Sequence, residues 1–198
     1  MRAAIVLNSK GNIANIEEDY IIATDAGYED VLAQGKKPNI VIGDFDSSIQ
    51  PKNLDVIKLQ IEKDDTDGQA AIEYAKEHNI DEVVIYGVMG GRLDHELCNL
   101  SLLAKAFSYG IKASAKQPNL TILYKEAGEV SFDIKRGATF SIIAFGDELT
   151  ITDGVNTKYK IENLNITKYD LGRSISNIAL DDKVSFKILK GSAFIFIY

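Results

Sequence analysis

The residues that could do chemistry in this 198-residue chain are aspartates gathered in three short motifs, residues 43–48, 63–67 and 90–95. Each motif lies where an apolar strand-like run gives way to a helical pattern or a turn. In an open parallel sheet the turns after the strands share one edge, and ligands bind there. We therefore expect these motifs to deliver carboxylates to one crevice, together with Asp25, which ends another strand-like run.

The aspartates are spaced to share a cation. Asp44 and Asp46 are two residues apart, so on an extended chain they point to the same side, and Asp64 and Asp67 are three apart around a helix start. Two carboxylates about 5 Å apart repel by about 3 kcal/mol at an effective dielectric of ~20, so a cluster of them requires a cation or a protonated member. Hard oxygen ligands suit Mg²⁺, with Mn²⁺ as an alternative.

Glycines and basic residues in the same motifs favour a phosphate-bearing ligand. Gly43, Gly90 and Gly91 allow close approach of the backbone, helix N-termini supply N–H donors, and Arg92 and Lys63 add positive charge. Magnesium is usually held by one or two carboxylates together with substrate phosphates. This combination is typical of phosphoryl-type transfer, although neither a Walker A motif nor a dinucleotide-binding glycine motif is present.

Composition and charge exclude several classes of protein. A content of 45% hydrophobic and 26% charged residues is that of a globular protein, not of collagen, a coiled coil or a disordered chain. One cysteine, Cys98, rules out a disulfide framework and is expected in the core. The net charge of −7 argues against a nucleic-acid partner. We expect no membrane span and no signal peptide, and hence a cytoplasmic protein.

The elements that must position the motifs form two halves. Residues 1–117 alternate strand-like runs with helical patterns at 28–34, 68–78 and 93–109, which predicts an α/β domain with a mainly parallel sheet. Residues 118–198 show short strand-like runs with turn signals between them, which predicts an all-β sandwich or jelly roll. Thr66 followed by Gln69 predicts a capping box at the second helix.

Two patterns predict finer detail. The third helix carries helically spaced apolar residues that predict its buried face, namely Leu93, Leu97, Leu100, Ala104 and Phe107. In the second half, separate strands are predicted at residues 121–125, 130–134, 139–144, 149–152, 157–161, 184–188 and 193–197.

At these motifs the sequence resembles the thiamine pyrophosphokinase family. Residues 23–27 with 42–47 are similar to its first signature, 62–67 to its second, and 90–95 with Asn99 and Leu100 to its third. Weaker marks follow in the second half, at Gly154, Lys158, Tyr159, Ser176 and Asn177. The resemblance spans nearly the whole chain.

The resemblance implies a Rossmann-like ATP- and Mg²⁺-binding catalytic domain at 1–117, a β-sandwich for thiamine binding and dimerisation at 118–198, and a homodimer. It implies transfer of the β,γ-pyrophosphoryl group of ATP to the hydroxyl of thiamine, giving thiamine diphosphate and AMP. It places Mg²⁺ on Asp44, Asp46 and Asp67 with Asp64 close by, and catalysis on Asp44, Asp46, Asp67 and Arg92. The implied ATP contacts are Asp25, Gly43, Lys63, Asp64, Thr66, Gly91, Arg92, Asp94 and His95. Ser176 and Asn177 are implied to contact thiamine from the partner subunit.

Two other functions fit part of the pattern. Residues 44–48 also resemble the start of aspartate-nucleophile phosphatases, in which Asp44 forms an aspartyl-phosphate and Asp46 is the acid and base. A non-catalytic sensor of nucleotide or thiamine is the second alternative. Beryllofluoride with Mg²⁺ trapped on Asp44 indicates the phosphatase, AMP formed only with thiamine indicates the kinase, and ATP binding without AMP release indicates the sensor.

Overall fold

The computed structural model describes residues 1–9, 11–45, 54–59 and 66–198. The chain divides into two compact units, Met1–Asn119 (unit 1) and Leu120–Tyr198 (unit 2). Over the described residues it is mostly β, with parallel pairing in unit 1, antiparallel pairing in unit 2 and three α-helices. None of the helices in the described part of the chain has the length and hydropathy needed to cross a membrane.

Unit 1 is built on parallel strands in the order β6-β5-β1-β2-β3-β4. These strands are β1 (Arg2–Val6), β2 (Tyr20–Thr24), β3 (Ile40–Gly43), β4 (Asp55–Lys58), β5 (Glu82–Tyr86) and β6 (Lys112–Gln117). The Ile- and Val-rich segments of β1, β2, β3 and β5 are almost wholly buried. That pattern is expected for parallel strands covered on both faces.

Three helices connect the strands: α1 (Tyr28–Ala33), α2 (Asp67–Glu77) and α3 (Leu93–Ser108). Their bounds lie within one residue of the predicted ones. The capping box of α2 is confirmed, because the Gln69 N–H donates to Thr66 Oγ1 at 3.3 Å and the Thr66 N–H donates to Gln69 Oε1 at 2.8 Å. This reciprocal pair fixes where α2 begins.

The predicted buried face of α3 is wrong. Leu93 and Leu97 are 69% and 62% exposed, and the buried residues are Leu102, Leu103 and Ala106. Helical spacing occurs on two faces of α3, and only packing on β6 and α2 decides which of them is covered.

Unit 2 is an antiparallel β unit with one short 3-10 helix, η1 (Leu171–Ser174). Its strands are β7 (Leu120–Asp133), β8 (Thr139–Ala144), β9 (Glu148–Val155), β10 (Leu164–Thr167), β11 (Asn177–Ile178) and β12 (Lys183–Ile197). Phe132, Phe140 and Phe186 pack edge to face inside its core. Aromatic pairs of this geometry add to the stabilisation from apolar burial.

Several predicted strand bounds in unit 2 are wrong. The strands predicted at 121–125 and 130–134 form the single strand β7, and those at 184–188 and 193–197 form β12. The register shifts between Ile188 and Ser192, so this stretch is an irregularity within paired strands and not a chain reversal. Residues 157–161 form only an isolated bridge, at Thr157.

Candidate active site

A cleft of about 480 Å³ opens at the carboxyl-terminal edge of the unit 1 sheet. Residues following or ending five strands line it, namely Leu7, Asn8, Thr24, Ala26, Asp44, Leu59, Gly87 and Val88. The rest of the wall comes from residues at the start of α2 and from residues before and within α3, namely Thr66, Asp67, Gly68, Gly91, Arg92, His95, Glu96, Cys98 and Asn99. Strand β1 lies between β2 and β5, so the cleft is at the point where the strand order reverses, the usual ligand position in such sheets.

Two predicted metal ligands meet in this cleft. Asp44 follows β3 and Asp67 begins α2, and both line the cleft as half-buried side chains. Asp46, Lys63 and Asp64 lie outside the described residues. Within the described ranges no group of three His, Cys, Asp or Glu side chains is arranged to hold a metal.

The backbone after Asp44 is not extended. Phe45 has φ of 56°, a left-handed conformation that is uncommon outside glycine. Asp46 lies outside the described residues, so the expectation that Asp44 and Asp46 point to the same side stays a prediction. A strained backbone at the end of β3 is typical of positions that serve a ligand site.

Asp25 and Gly43 pack together at the edge of the cleft. Asp25 is buried, does not line the cleft, and its N–H donates to Ile42 O at 3.0 Å. A Cβ placed on Gly43 would lie 2.5 Å from Asp25 Cβ. Residue 43 must therefore be glycine for β3 to approach Asp25 and to place Asp44 in the cleft.

Both helix starts present backbone N–H groups near the cleft. Thr66, Asp67 and Gly68 line it at the start of α2, and Gly91, Arg92 and His95 line it around the start of α3. The first N–H groups and the dipole of a helix N-terminus favour an anion. His95 is exposed.

Arg92 lines the cleft with its guanidinium paired to Asp94. The Nη2–Oδ2 and Nε–Oδ1 distances are 2.5 and 3.1 Å. Hydrogen bonding to Arg92 lowers the pKa of Asp94, and the same hydrogen bond raises the pKa of Arg92. Both side chains are exposed, so the pair can open to bind a stronger anion at little cost in stability.

Glu96 is a cleft residue that sequence reasoning missed. Its Oε1 accepts hydrogen bonds from the N–H groups of both Gly90 and Gly91, at 2.8 and 3.1 Å. Asn99 ties the same loop to α3 through Nδ2 and Val88 O, 3.3 Å apart. An acid one turn into a helix that follows two glycines was a usable signal, because such a side chain can reach back to the loop.

Two other residues differ from expectation or were missed. Cys98, expected in the core, is partly exposed and lines the cleft, because the buried face of α3 lies further along the helix. Asp30, buried in the first turn of α1, accepts from Ser9 Oγ at 2.7 Å and from the Ser9 N–H at 3.3 Å. Asp30 thereby anchors the loop that follows β1.

The predicted thiamine contacts lie in unit 2. Ser176 is exposed with φ of 59°, and its N–H donates to Ser141 Oγ. Asn177 is buried, and its amide pairs with the backbone of Tyr159 through distances of 3.0 and 2.8 Å. Asn177 therefore fixes the position of Tyr159, whose ring is exposed. A direct contact of Asn177 with thiamine stays a prediction.

Comparison with known proteins identifies the family. Residues 14–115 match the family model for the thiamin pyrophosphokinase catalytic domain. A thiamine pyrophosphokinase of Bacillus subtilis is 33% identical over 86% of this chain and 83% of its own length, and thiamin pyrophosphokinase 1 of Caenorhabditis elegans is 26% identical over 86% and 74%. The crystal structure of the Bacillus subtilis enzyme superposes with a TM-score of 0.88 and 27% identity, covering 100% of this chain and 98% of that one. The chain belongs to the thiamine pyrophosphokinase family, transferases whose activity is the transfer of a pyrophosphoryl group from ATP to thiamine.

Proposed function

We propose that the unit 1 cleft binds ATP with Mg²⁺ and that the chain uses it to convert thiamine to thiamine diphosphate with release of AMP. The observation that carries this assignment is that Asp44 and Asp67, from two different elements, line the same cleft as Arg92 and the starts of two helices. Carboxylates, a guanidinium and backbone donors at one edge of a parallel sheet suit a magnesium-bound polyphosphate.

The donor set fits Mg²⁺. Asp44 and Asp67 supply hard carboxylate oxygens, and Mg²⁺ in proteins is commonly held by one or two carboxylates together with substrate phosphates. Asp46 and Asp64 complete the proposed ligand set, and Mn²⁺ is the alternative ion. When bound, the ion supplies charge neutralisation on the triphosphate.

The phosphates are proposed to lie against the starts of α2 and α3. Thr66, Gly91, Arg92 and His95 line this part of the cleft. The further proposed contacts to ATP as a whole are Asp25, Gly43, Lys63, Asp64 and Asp94. A Cβ on Gly91 would meet no atom within 4 Å, so a ligand has room to approach this backbone.

In the proposed reaction the thiamine hydroxyl oxygen forms a bond to the β-phosphorus of ATP. The bond from that phosphorus to the bridging oxygen of AMP breaks, AMP leaves with the electron pair, and the hydroxyl proton is released. Arg92 releases Asp94 to stabilise the charge that develops on the transferred phosphates. Asp44 and Asp67 would hold the ion, which would neutralise charge on the polyphosphate, and no general base is assigned.

Thiamine is proposed to be held by Ser176 and Asn177 of unit 2, supplied by the partner subunit of a homodimer. The support is the family resemblance, together with the exposed Ser176 and Tyr159 and the amide pairing that fixes Tyr159.

We also propose a Rossmann-like classification for unit 1, a β-sandwich for unit 2 and a cytoplasmic location. The parallel order of β1 to β6 and the antiparallel pairing in unit 2 support the two fold classes.

The test is an AMP-release assay with purified protein, ATP, Mg²⁺ and thiamine. We expect AMP and thiamine diphosphate in equal amounts, no AMP when thiamine is omitted, and loss of product on adding EDTA. Release of inorganic phosphate without thiamine, or ATP binding without AMP, would contradict the proposal.

A further inference from the structure

The loop before α3 already binds an anionic oxygen, and that oxygen is the protein's own. The N–H groups of the adjacent residues Gly90 and Gly91 converge on Glu96 Oε1 at 2.8 and 3.1 Å. Successive backbone N–H groups that converge in this way form a binding site for anions such as phosphate. Here the carboxylate of Glu96 fills that site.

The loop is also held by contacts that do not involve Glu96. Gly90 has φ of 112°, and a Cβ on it would lie 2.8 Å from Ser9 O, so this backbone packs directly against Ser9. Ser9 is buried and anchored by the buried carboxylate of Asp30, with an Oγ–Oδ2 distance of 2.7 Å. These contacts keep the donor pair in shape when Glu96 leaves.

The position of this donor pair connects it to the proposed substrate. Gly91 and Glu96 line the same cleft as Asp44, Asp67 and Arg92. Arg92 is likewise engaged by a carboxylate, that of Asp94. The Gly90–Gly91 N–H pair and the Arg92 guanidinium are both suited to bind phosphate oxygens, and each of them binds a carboxylate of the chain itself.

We propose that Glu96 competes with substrate phosphate for the N–H groups of Gly90 and Gly91, and so sets the affinity of the cleft for polyphosphate. This inference rests on the proposed function. A phosphate oxygen and the Glu96 carboxylate cannot occupy the two N–H groups together. The apparent affinity is therefore the intrinsic affinity multiplied by the fraction of molecules in which Glu96 has left the two N–H groups.

The test measures binding of inorganic tripolyphosphate with Mg²⁺ by calorimetry. Glu96→Ala removes the competitor, and we expect binding about three- to tenfold tighter, which corresponds to a parental open fraction of roughly a tenth to a third. Glu96→Asp keeps the charge but shortens the reach to the loop, so it should also bind more tightly than the parent. Glu77→Gln, which removes one charge from an exposed residue on α2, should bind as the parent does.

Stability gives a second readout with the opposite sign. Without ligand, Glu96→Ala and Glu96→Asp should unfold at a lower temperature than the parent, because the two N–H groups lose their acceptor. Lower stability together with weaker polyphosphate binding would mean that Glu96 only holds the loop, and would overturn the inference. Parental affinity in Glu96→Asp would also overturn it, since charge repulsion alone would then explain any effect of Glu96→Ala.

The AMP-release assay separates this inference from the proposed function. If the parent makes AMP with thiamine but the Glu96 variants do not bind polyphosphate more tightly, only the inference fails. If the parent neither binds tripolyphosphate nor makes AMP, the proposed function fails and the inference fails with it.

Discussion

At the scale of single residues, the cleft is defined by acidic side chains that are far apart in the sequence. Asp44 follows a strand and Asp67 begins a helix, and both face the same space. Arg92 and the Gly90–Gly91 amides lie beside that space, and each is engaged by a carboxylate of the chain itself. The site therefore brings together groups that bind cations and groups that bind anions, as a magnesium–polyphosphate complex requires.

Asp67→Asn should lower the rate of AMP formation more than about a hundredfold, because the neutral amide is a poor ligand for the ion that neutralises the polyphosphate. The measurement is steady-state AMP release at limiting Mg²⁺. Asp19→Asn is the matched control, since Asp19 is exposed and precedes β2 at the opposite edge of the sheet. A near-parental rate in Asp67→Asn would show that Asp67 does not hold the ion.

The raised pKa of Tyr74 predicts that the protein loses stability at alkaline pH. Burial, assisted by a 2.8 Å hydrogen bond with Tyr20, raises the pKa of Tyr74 to about 12. Between pH 10 and 12 the unfolded chain loses this proton while the folded chain keeps it, so the free energy of unfolding falls as pH rises, by on the order of 2 kcal/mol. Denaturant unfolding at pH 9 and pH 11 measures about half of this change, since pH 11 lies midway between the two pKa values. Tyr74→Phe should reduce it, and an unchanged pH dependence would contradict the assignment.

At the scale of elements, the start of α2 links helix stability to the site. The capping box of Thr66 and Gln69 fixes the first turn, and that turn carries Asp67. Thr66→Ala should lower the free energy of unfolding by about 1 kcal/mol, or roughly 2–4 °C in melting temperature for a chain of this size. Thr66→Ser keeps the hydroxyl and should restore most of the loss. Equal stability of the alanine variant and the parent would show that the cap contributes nothing.

The close approach of β3 to Asp25 predicts that Gly43 is irreplaceable. In Gly43→Ala the new Cβ would lie 2.5 Å from Asp25 Cβ, so the end of β3 must move, at a cost of about 1–3 kcal/mol. Both the melting temperature and the rate of AMP release should fall. Gly172→Ala is the control, because a Cβ there would meet no atom within 4 Å. Parental behaviour of Gly43→Ala would refute the packing argument.

At the scale of the whole molecule, the proposed homodimer predicts complementation between two damaged chains. If unit 1 of one subunit works with Ser176 of its partner, an Asp67→Asn, Ser176→Ala heterodimer has one intact site and one doubly damaged site. Unfolding and refolding a mixture of the two variants should recover about a quarter of the parental activity, because half of the randomly paired dimers are heterodimers. Light scattering checks the dimer mass. Activity no higher than that of the separate variants would exclude a shared site.

Local patterns of residues were enough to predict the parts of the fold that depend on neighbours along the chain. Helical periodicity and the Thr66–Gln69 cap located the three helices to within one residue, and Ile- and Val-rich runs predicted the strands that alternate with them. The motifs and their order were enough to identify the family, because they contain the residues expected to bind the metal ion and the phosphates. These signals are local or short-range, so they can be read without knowing what packs against what.

Which surfaces are covered and which distant groups meet depends on the packing of the folded chain. Helical spacing gave α3 two apolar faces, and packing on β6 and α2 buried the one with Leu102, Leu103 and Ala106. The reach of Glu96 to the Gly90–Gly91 loop, the pairing of Asn177 with Tyr159 and the continuity of β7 and β12 also depend on the folded chain. Burial, strand register and side-chain pairing depend on residues that are close in space but distant in the sequence. Those residues come together only in the complete fold.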